Sequence, residues 1–475
     1  MSFFEIYPQL QALHHLAKRR RNKVYLVGGF WRDYLLKRSC FDFDFAVDKN
    51  AIALAKSFAK AFRGAFVLLD EEHGCARVVK KIEGQIWTFD FADFRGATIK
   101  KDLAHRDFFI NVFSVNLNAL VDQETVDQLL RKQLISFRDL KFRRIRMVSP
   151  IAFKEDPLRL LRAYSLQAVL DFKIESKTKA QIKKDRDLIR QVSAERIREE
   201  VFKILESPRA AAGLKALDEI GLLEKVMPQI AIMQNVSQGG YHHLDVWPHS
   251  LETVVQLEGV LKEFENDVEV KAYAQEEAGG GHSRRSVMKL AALLHDIGKP
   301  ETRKQEGERM SFHGHEHVGR GIVRQIARFL KISTKERMML EDMVLWHLRP
   351  GYLANFKRPT DKAFFRYFRD AKEEGASIAL LAMADQRSTR GPLTTPEDEK
   401  HHEKICREVV DRFFEKKKEK PFVRLINGND LIKELKLKPS PLFAQILKTV
   451  EEEQSLGKVA TKEEALNLAK KVVQG

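Results

Sequence analysis

The sequence predicts an α+β protein: a small mixed sheet with flanking helices, followed by a long all-α remainder. Three observations carry this reading. Strand-like runs crowd the first part of the chain, and from about Pro150 onward apolar residues recur every three or four positions. The 475 residues also exceed what one hydrophobic core usually serves, so two or more domains are expected.

Five strand patterns come in order. LysValTyrLeuValGlyGly (23–29) is a short apolar run ending at glycines, and AspPheAspPheAlaVal (42–47) alternates polar and apolar. GlyAlaPheValLeuLeuAsp (64–70), CysAlaArgValValLys (75–80) and GlnIleTrpThrPheAspPheAla (85–92) follow. The helical period then takes over, as in AspProLeuArgLeuLeuArgAlaTyr (156–164) and GluArgIleArgGluGluValPheLysIleLeu (195–205). Residues 269–286 are polar and carry three successive glycines, which predicts an exposed, flexible loop between helices. GluLysLysLysGluLys (415–420) reads as a solvated helix end leading into the last segment.

With 83 Lys plus Arg against 67 Asp plus Glu, the formal charge is +16. That balance favours a polyanionic partner such as nucleic acid, although a solvated cationic surface gives the same count. Cys40, Cys75 and Cys406 lack metal or disulfide spacing and read as reduced packing residues. Without a cleavable leader or an apolar run long enough for a bilayer, a soluble, cytoplasmic protein with no membrane partner is expected.

The chemistry-bearing residues begin at ValGlyGlyPheTrpArgAsp (27–33) and the AspPheAsp of 42–44. On a strand, Asp42 and Asp44 face the same side. A pair so placed can bridge two divalent ions about 4 Å apart, one activating a 3′-hydroxyl and the other clamping a triphosphate. Gly28 and Gly29 let backbone amides approach phosphates at a strand-to-helix turn, Arg32 can meet the triphosphate with its fork, and Asp33 can brace that arginine. Asp90 fits best as a third carboxylate on a neighbouring strand, with Asp93 as the fallback. The pattern predicts nucleotidyl transfer, with Mg²⁺ at this site.

Further motifs follow in order. AspLeuAlaHisArgAspPhePheIleAsn (102–111), GluAspProLeuArgLeuLeuArgAla (155–163), SerAlaGluArgIleArgGluGlu (193–200) and, more loosely, residues 427–441 resemble the tRNA CCA nucleotidyltransferase and bacterial poly(A) polymerase family, class II of the polymerase-beta-like nucleotidyltransferases. The resemblance implies a polymerase-beta-like head at 1–148, a helical neck with a base-recognition motif at 149–235, and a helical tRNA-binding tail at 401–475. It implies metal ligation by Asp42 and Asp44, and nucleotide binding by Gly29, Arg32 and Arg106. Asp156 and Arg159 would form a protein template for the base of CTP or ATP, as an acceptor and a bidentate donor sharing a helix face. Arg162, one turn further, would complete the contact. The partner implied is tRNA, gripped at its acceptor stem and 3′ end.

Two departures stand out. Ser165 occupies a position where the family usually carries arginine, and LeuValAspGlnGluThrVal (120–126) replaces a glycine turn, with a basic segment, LysPheArgArgIleArg (141–146), beyond it. Both bear on specificity: CCA addition is the expectation, with CC-only, A-only or poly(A) addition as alternatives.

A second constellation lies in the helical part. His249, the pair His295 and Asp296 in LeuHisAspIleGlyLysPro, His315, His347 and Asp385 look like an HD domain, placed at 236–400. Imidazoles and carboxylates from several helices would meet at a divalent ion, whose bound water can attack a phosphoester, with Lys299 near the phosphate. An HD phosphohydrolase with a nucleotide-binding regulatory head is the alternative from another class.

Overall fold

The computed structural model describes residues 2–239, 243–307, 309–391, 395–419 and 422–474. The chain divides into two compact units, one of residues 1–204 with 216–226 and the other of residues 205–215 with 227–475.

The first unit is built on one mixed sheet. Its strands are β1 (Val24–Val27), β2 (Asp42–Val47), β3 (Ala65–Asp70), β4 (Cys75–Ile82), β5 (Gln85–Asp93) and β6 (Ser114–Asn116), in the spatial order β3-β4-β5-β2-β1-β6. All five expected strands are present, and the short β6 on the far edge is an addition. Only β2 and β5 run parallel, with Asp44 directly opposite Asp90. The alternation in β2 sets the two faces: Phe43, Phe45 and Val47 are fully buried, whereas Asp42 is exposed and Asp44 half-buried on the other side. Phe43 stacks on Phe89, and Phe45 on Phe91, across the β2–β5 pair, while Phe58 of helix Ala51–Phe62 packs on Phe89 and Phe91. Each such ring contributes roughly 1.5–3 kcal/mol by leaving water. One face of the sheet is thus committed to the core, and the carboxylates are left on the other.

The departure at 120–126 has a local cause. Asp122 caps helix Gln123–Lys132 by accepting from the Thr125 amide at 2.8 Å, so the segment begins a helix where the family has a glycine turn. Within the basic segment, Arg144 and Arg146 both pair with the fully buried Asp139, which removes two of its charges from any surface role.

The second unit is helical. Residues 269–286 are not the mobile loop that their composition suggests. Helix Val268–Gln275, capped by Asp267, leads into a hairpin of Glu277–Gly279 and His282–Ser283. The glycines supply the positive φ of that tight turn, +61° at Gly280 and +85° at Gly281. Buried Tyr273 donates to the Glu373 carbonyl at 2.7 Å, and buried Arg284 pairs with Glu374 and Glu276, so tertiary partners order a segment with few apolar residues of its own. The C-terminal helices Gly428–Leu435, Leu442–Ser455 and Lys462–Gln474 enclose a small core of Leu431, Ile446, Val450 and Ala465. Helix Leu442–Ser455 meets helix Asp361–Ala371 through Lys362 and Arg366 on Glu452.

Candidate functional site

The first site lies where β1 turns into helix Gly29–Leu35. Gly28 has φ +85°, and a Cβ built on it would stand 2.8 Å from Asp44 Oδ2 and 3.2 Å from Arg106 Nη1. The glycine thus keeps open a cradle between a carboxylate and a guanidinium. Gly29 borders the Arg32 guanidinium in the same way, with its would-be Cβ 3.3 Å from Nη2. Arg32 itself is held as a fork: Nε and Nη2 donate to the two oxygens of Asp33 at 3.0 and 2.7 Å, and Nη1 donates to Asn111 Oδ1 at 2.7 Å.

Asp42, Asp44 and Asp90 share the open face. Asp42 accepts a hydrogen bond from Thr88, its register partner on β5. Burial, and then the neighbouring Asp42 charge, push the Asp44 carboxyl up to about 7, against the pull of Arg106. A carboxyl that resists ionisation beside a second carboxylate is a position where a cation is favoured. Asp90 is engaged differently, accepting from Arg77 Nε and Nη2 at 2.7 Å each. The fallback Asp93 lies three residues on, on the opposite face, where its Oδ1 accepts from the Ala51 amide at 2.8 Å at the start of a helix. It does not join the set.

Behind this face runs a polar chain. Buried Asn111 links the fork to Asp107, donating to its oxygens at 3.2 Å each, and Arg162 Nε lies 3.1 Å from Asp107 Oδ2. Despite burial, the Arg162 charge, the Phe108 amide and Asn111 hold the Asp107 carboxyl below its usual range.

Asp156 and Arg159 do not share a helix face as their spacing suggests. Asp156 has extended backbone, φ −147° and ψ 97°, in the break between helices Ala152–Glu155 and Leu158–Leu170. Pro157 causes this, because its ring disfavours helical geometry in the residue before it. Asp156 Oδ2 pairs with Arg196 at 2.9 Å, while the buried Arg159 guanidinium turns inward to the carbonyls of Ala152 and His105 at 3.1 and 2.7 Å. Ser165, in the place of the family arginine, is buried and donates to Glu200.

The second unit gathers the other constellation. His249 comes from helix Val246–Glu263, and His295 and Asp296 directly follow helix Arg284–Leu294. His315 opens helix His315–Phe329, His347 ends helix Thr334–Trp346, and Asp385 lies in helix Gly375–Ser388. The six residues fall into two adjoining donor sets, His249 with His295 and Asp385, and Asp296 with His315 and His347; the donor atoms of each lie within 4.8 Å of one another. Asp296 stands between them: Oδ2 is 3.1 Å from His295 Nε2, and Oδ1 is 3.2 Å from His315 Nε2.

The tautomers follow from the outer partners. His295, His315 and His347 place Nδ1 at 2.9, 2.9 and 2.7 Å from the carbonyls of Ala292, Phe312 and Val344, and His249 Nδ1 is 3.2 Å from Ser388 Oγ. With Nδ1–H donating outward, each Nε2 lone pair faces the centre. His249 and His295 then oppose two nitrogens at 3.3 Å, and His315 and His347 at 3.2 Å, which repel unless a cation or proton lies between them. The donor set therefore fits divalent metal. Without a cation, burial opposes a charge on His295 but Asp296 and Asp385 raise it to about 10; His347 is pushed down to about 3 by burial and then by His295 and His315. Lys299 Nζ is already engaged, 2.6 Å from both Asp296 Oδ2 and Gln238 Oε1.

Four family models match the chain: the poly(A) polymerase head domain over residues 24–146, a probable RNA and SrmB-binding site of polymerase A over 171–233, the HD domain over 246–385, and a putative tRNA nucleotidyltransferase domain 2 over 419–469. The A-adding tRNA nucleotidyltransferase of Deinococcus radiodurans is 31% identical over 455 residues, 93% of each chain. The chain belongs to the tRNA nucleotidyltransferase family. The CC-adding tRNA nucleotidyltransferase of Thermus thermophilus is 30% identical and covers 92% of this chain and 91% of its own. The Thermotoga maritima CCA-adding enzyme complexed with tRNA has the same fold, with a TM-score of 0.60 at 21% identity over 99% of this chain and 95% of that one.

In this nucleotidyltransferase, sequence reasoning passed over Asn111, Asp107, Arg77 and Ser388. Asn111 and Asp107 lie inside the quoted motif 102–111, so the signal for them was at hand. Arg77 becomes visible only through the β4–β5 register that sets it opposite Asp90.

Proposed function

We propose that the chain is a template-independent tRNA nucleotidyltransferase that adds C, C and A from CTP and ATP to tRNA 3′ ends. The observation that carries this is the placement of Asp42 and Asp44 on one open sheet face, against the Gly28 cradle and Arg106. Asp42 and Asp44 would hold Mg²⁺, which when bound supplies activation of the 3′-hydroxyl and charge neutralisation at the triphosphate. Arg32, preset by Asp33 and Asn111, offers a rigid fork to phosphate oxygens, and the Gly28–Gly29 turn lets amides approach them. Arg106 balances charge at the rim of the cradle. Asp156 and Arg159 read the base once Arg159 leaves its carbonyls, and Arg162 holds the chain of Asp107 and Asn111 beneath them.

Head, neck, HD body and tail divide near residues 148, 235 and 400, and the basic tail tracks the tRNA backbone. No helix among the described residues is long and apolar enough to cross a membrane, in keeping with a cytoplasmic enzyme. The test is to sequence products formed on tRNAs ending at the discriminator base, in C, and in CC. Completion of all three supports CCA addition. A second reading, addition of CC or of A alone, is favoured by the relatives of near-complete coverage, which carry those two names; it predicts that only some of the three are extended.

The imidazole centre is read as a metal phosphohydrolase. Its six ligands hold divalent cations, which when bound supply an acidified water for attack on phosphorus. Asp296 links the two donor sets, and the outward Nδ1–H bonds keep each imidazole aimed.

A further inference from the structure

The six-stranded sheet of the first unit ends on two unlike edges. At one, β6 (Ser114–Asn116) is only three residues long, with polar Ser114 and Asn116 flanking buried Val115. An edge that short offers little to pair with. At the other, β3 (Ala65–Asp70) is six residues long and carries Phe66, Val67, Leu68 and Leu69 in succession. Val67, Leu68 and Leu69 are 43, 46 and 51% exposed. Native sheets guard such an edge with lysine, proline, a bulge or a covering segment. Residues 65–70 contain no lysine, arginine or proline, and the bulge between Leu68 and Asp70 leaves Ala65–Leu68 in continuous register with β4. Unpaired backbone groups beside exposed apolar side chains form a template for another strand.

Charge decides which strand fits. Arg63 precedes β3, at the C-cap of helix Ala51–Phe62, whereas Asp70, Glu71 and Glu72 stand at its far end. The segment is thus cationic at its start, apolar in the middle and anionic at its finish, which complements its own antiparallel copy. A two-fold axis normal to the sheet pairs one residue with itself. Centred on Val67, it sets Phe66 against Leu68, Ala65 against Leu69, and Arg63 against Glu71, each pairing made twice. Centring on Phe66 or Leu68 would set Arg63 against Leu69 or His73 and lose the charge match. Arg63 and Glu71 are both exposed, and among the described residues neither makes an ion pair. Asp70 is already engaged, accepting from the His73 amide at 3.0 Å.

We propose that β3 is a self-association surface, through which two copies of this chain pair antiparallel about Val67 and join their sheets edge to edge. Directly opposite residues share a face. Val67 is opposite Arg77, Arg77 opposite Asp90, and Asp90 opposite Asp44, so the carboxylate faces of both copies lie on the same side of the joined sheet. Six residues from each copy make a small interface, so the dimer is concentration-dependent, with a Kd of about micromolar size.

The test is sedimentation equilibrium of the full chain from about 1 to 100 µM, a range that brackets this affinity. A monomer–dimer equilibrium is expected for the unaltered protein. Val67→Lys puts like charges directly opposite one another at the axis and should leave only monomer, with thermal melting unchanged because the side chain is on the surface. Arg63→Glu and Glu71→Arg should each raise Kd at least about 10-fold, since two attractive pairs become repulsive. An equimolar mixture of these two variants should regain the affinity of the unaltered chain: the two altered ends then face one another, as do the two native ends, each pair of opposite charge. Monomer alone across the whole range, a dimer that survives Val67→Lys, or a mixture no tighter than its separate components overturns the inference.

Discussion

The two candidate centres present cation donors by opposite physical means. In the head, the donors are oxygens on an open strand face: Asp42 is exposed, Asp44 half-buried, and the compensating charge is the Arg106 guanidinium beside the Gly28 turn. In the helical unit, four imidazoles and Asp296 are buried and most are fixed by outward hydrogen bonds, with only Asp385 more open. An open carboxylate pair suits ions that come and go with a triphosphate, whereas a buried imidazole cage suits resident metal. The contrast also explains the different pKa behaviour. One carboxyl in the head is raised by burial and then by the like charge beside it, and carboxylates in the cage are lowered, despite burial, because histidines adjoin them.

The largest expected effect breaks the comparison on the head side. Asp42→Asn combined with Asp44→Asn should lower nucleotide incorporation by about 10³-fold or more, matching several kcal/mol of metal-borne stabilisation, while metal retained by the dialysed protein is unchanged. Incorporation that survives this change would assign the head a binding role only. Next, His295→Ala and Asp296→Ala should strip the retained metal, measured by elemental analysis, and leave incorporation in place. A smaller effect comes from the outer partners: Ser388→Ala frees His249 Nδ1 and should weaken metal affinity about 10-fold. On the head side, Asn111→Ala unties Arg32 from Asp107, and a rise of about 10-fold in KM for CTP or ATP is expected with a smaller change in kcat.

The smallest effect sharpens the electrostatic difference. The folded chain holds the Asp44 proton up to about pH 7, so cation binding there releases a proton and should weaken about 10-fold for each pH unit below 7, then level off above it. For the metal-free chain, the raised value means that this group favours folding fully below its unfolded value near pH 4. That contribution is lost as pH rises through about 7. Mn²⁺ titrations at pH 6 and pH 8 test the first statement. Asp42→Asn, which removes the second cause of the shift, should flatten the dependence.

Much of the head was legible because strand alternation and the glycine turn are local signals: the five segments read as strands are β1 to β5. The aspartates of β2 face one way for the same reason. The role of Asn111 was not legible, since its partners Arg32 and Asp107 meet only when the β1 turn and the 102–111 motif come together. Asp156 illustrates a local signal that was overlooked, as Pro157 forbids the helix that a shared face with Arg159 would need. Residues 269–286 illustrate the reverse, a polar composition ordered by Tyr273, Arg284 and their distant acceptors.

The amino-acid order by itself determined the fold class, the family and the candidate donor residues, because motif spacing and period-two or period-3.6 patterning are set by covalent neighbours. Tertiary structure alone decided that Arg77 engages Asp90, that the imidazole donors divide into two sets about Asp296, and that a helix beyond the HD domain closes a cavity on them. Each of these depends on strand register or helix packing between residues far apart in the chain, where side-chain direction is fixed by burial and partner geometry and not by sequence distance.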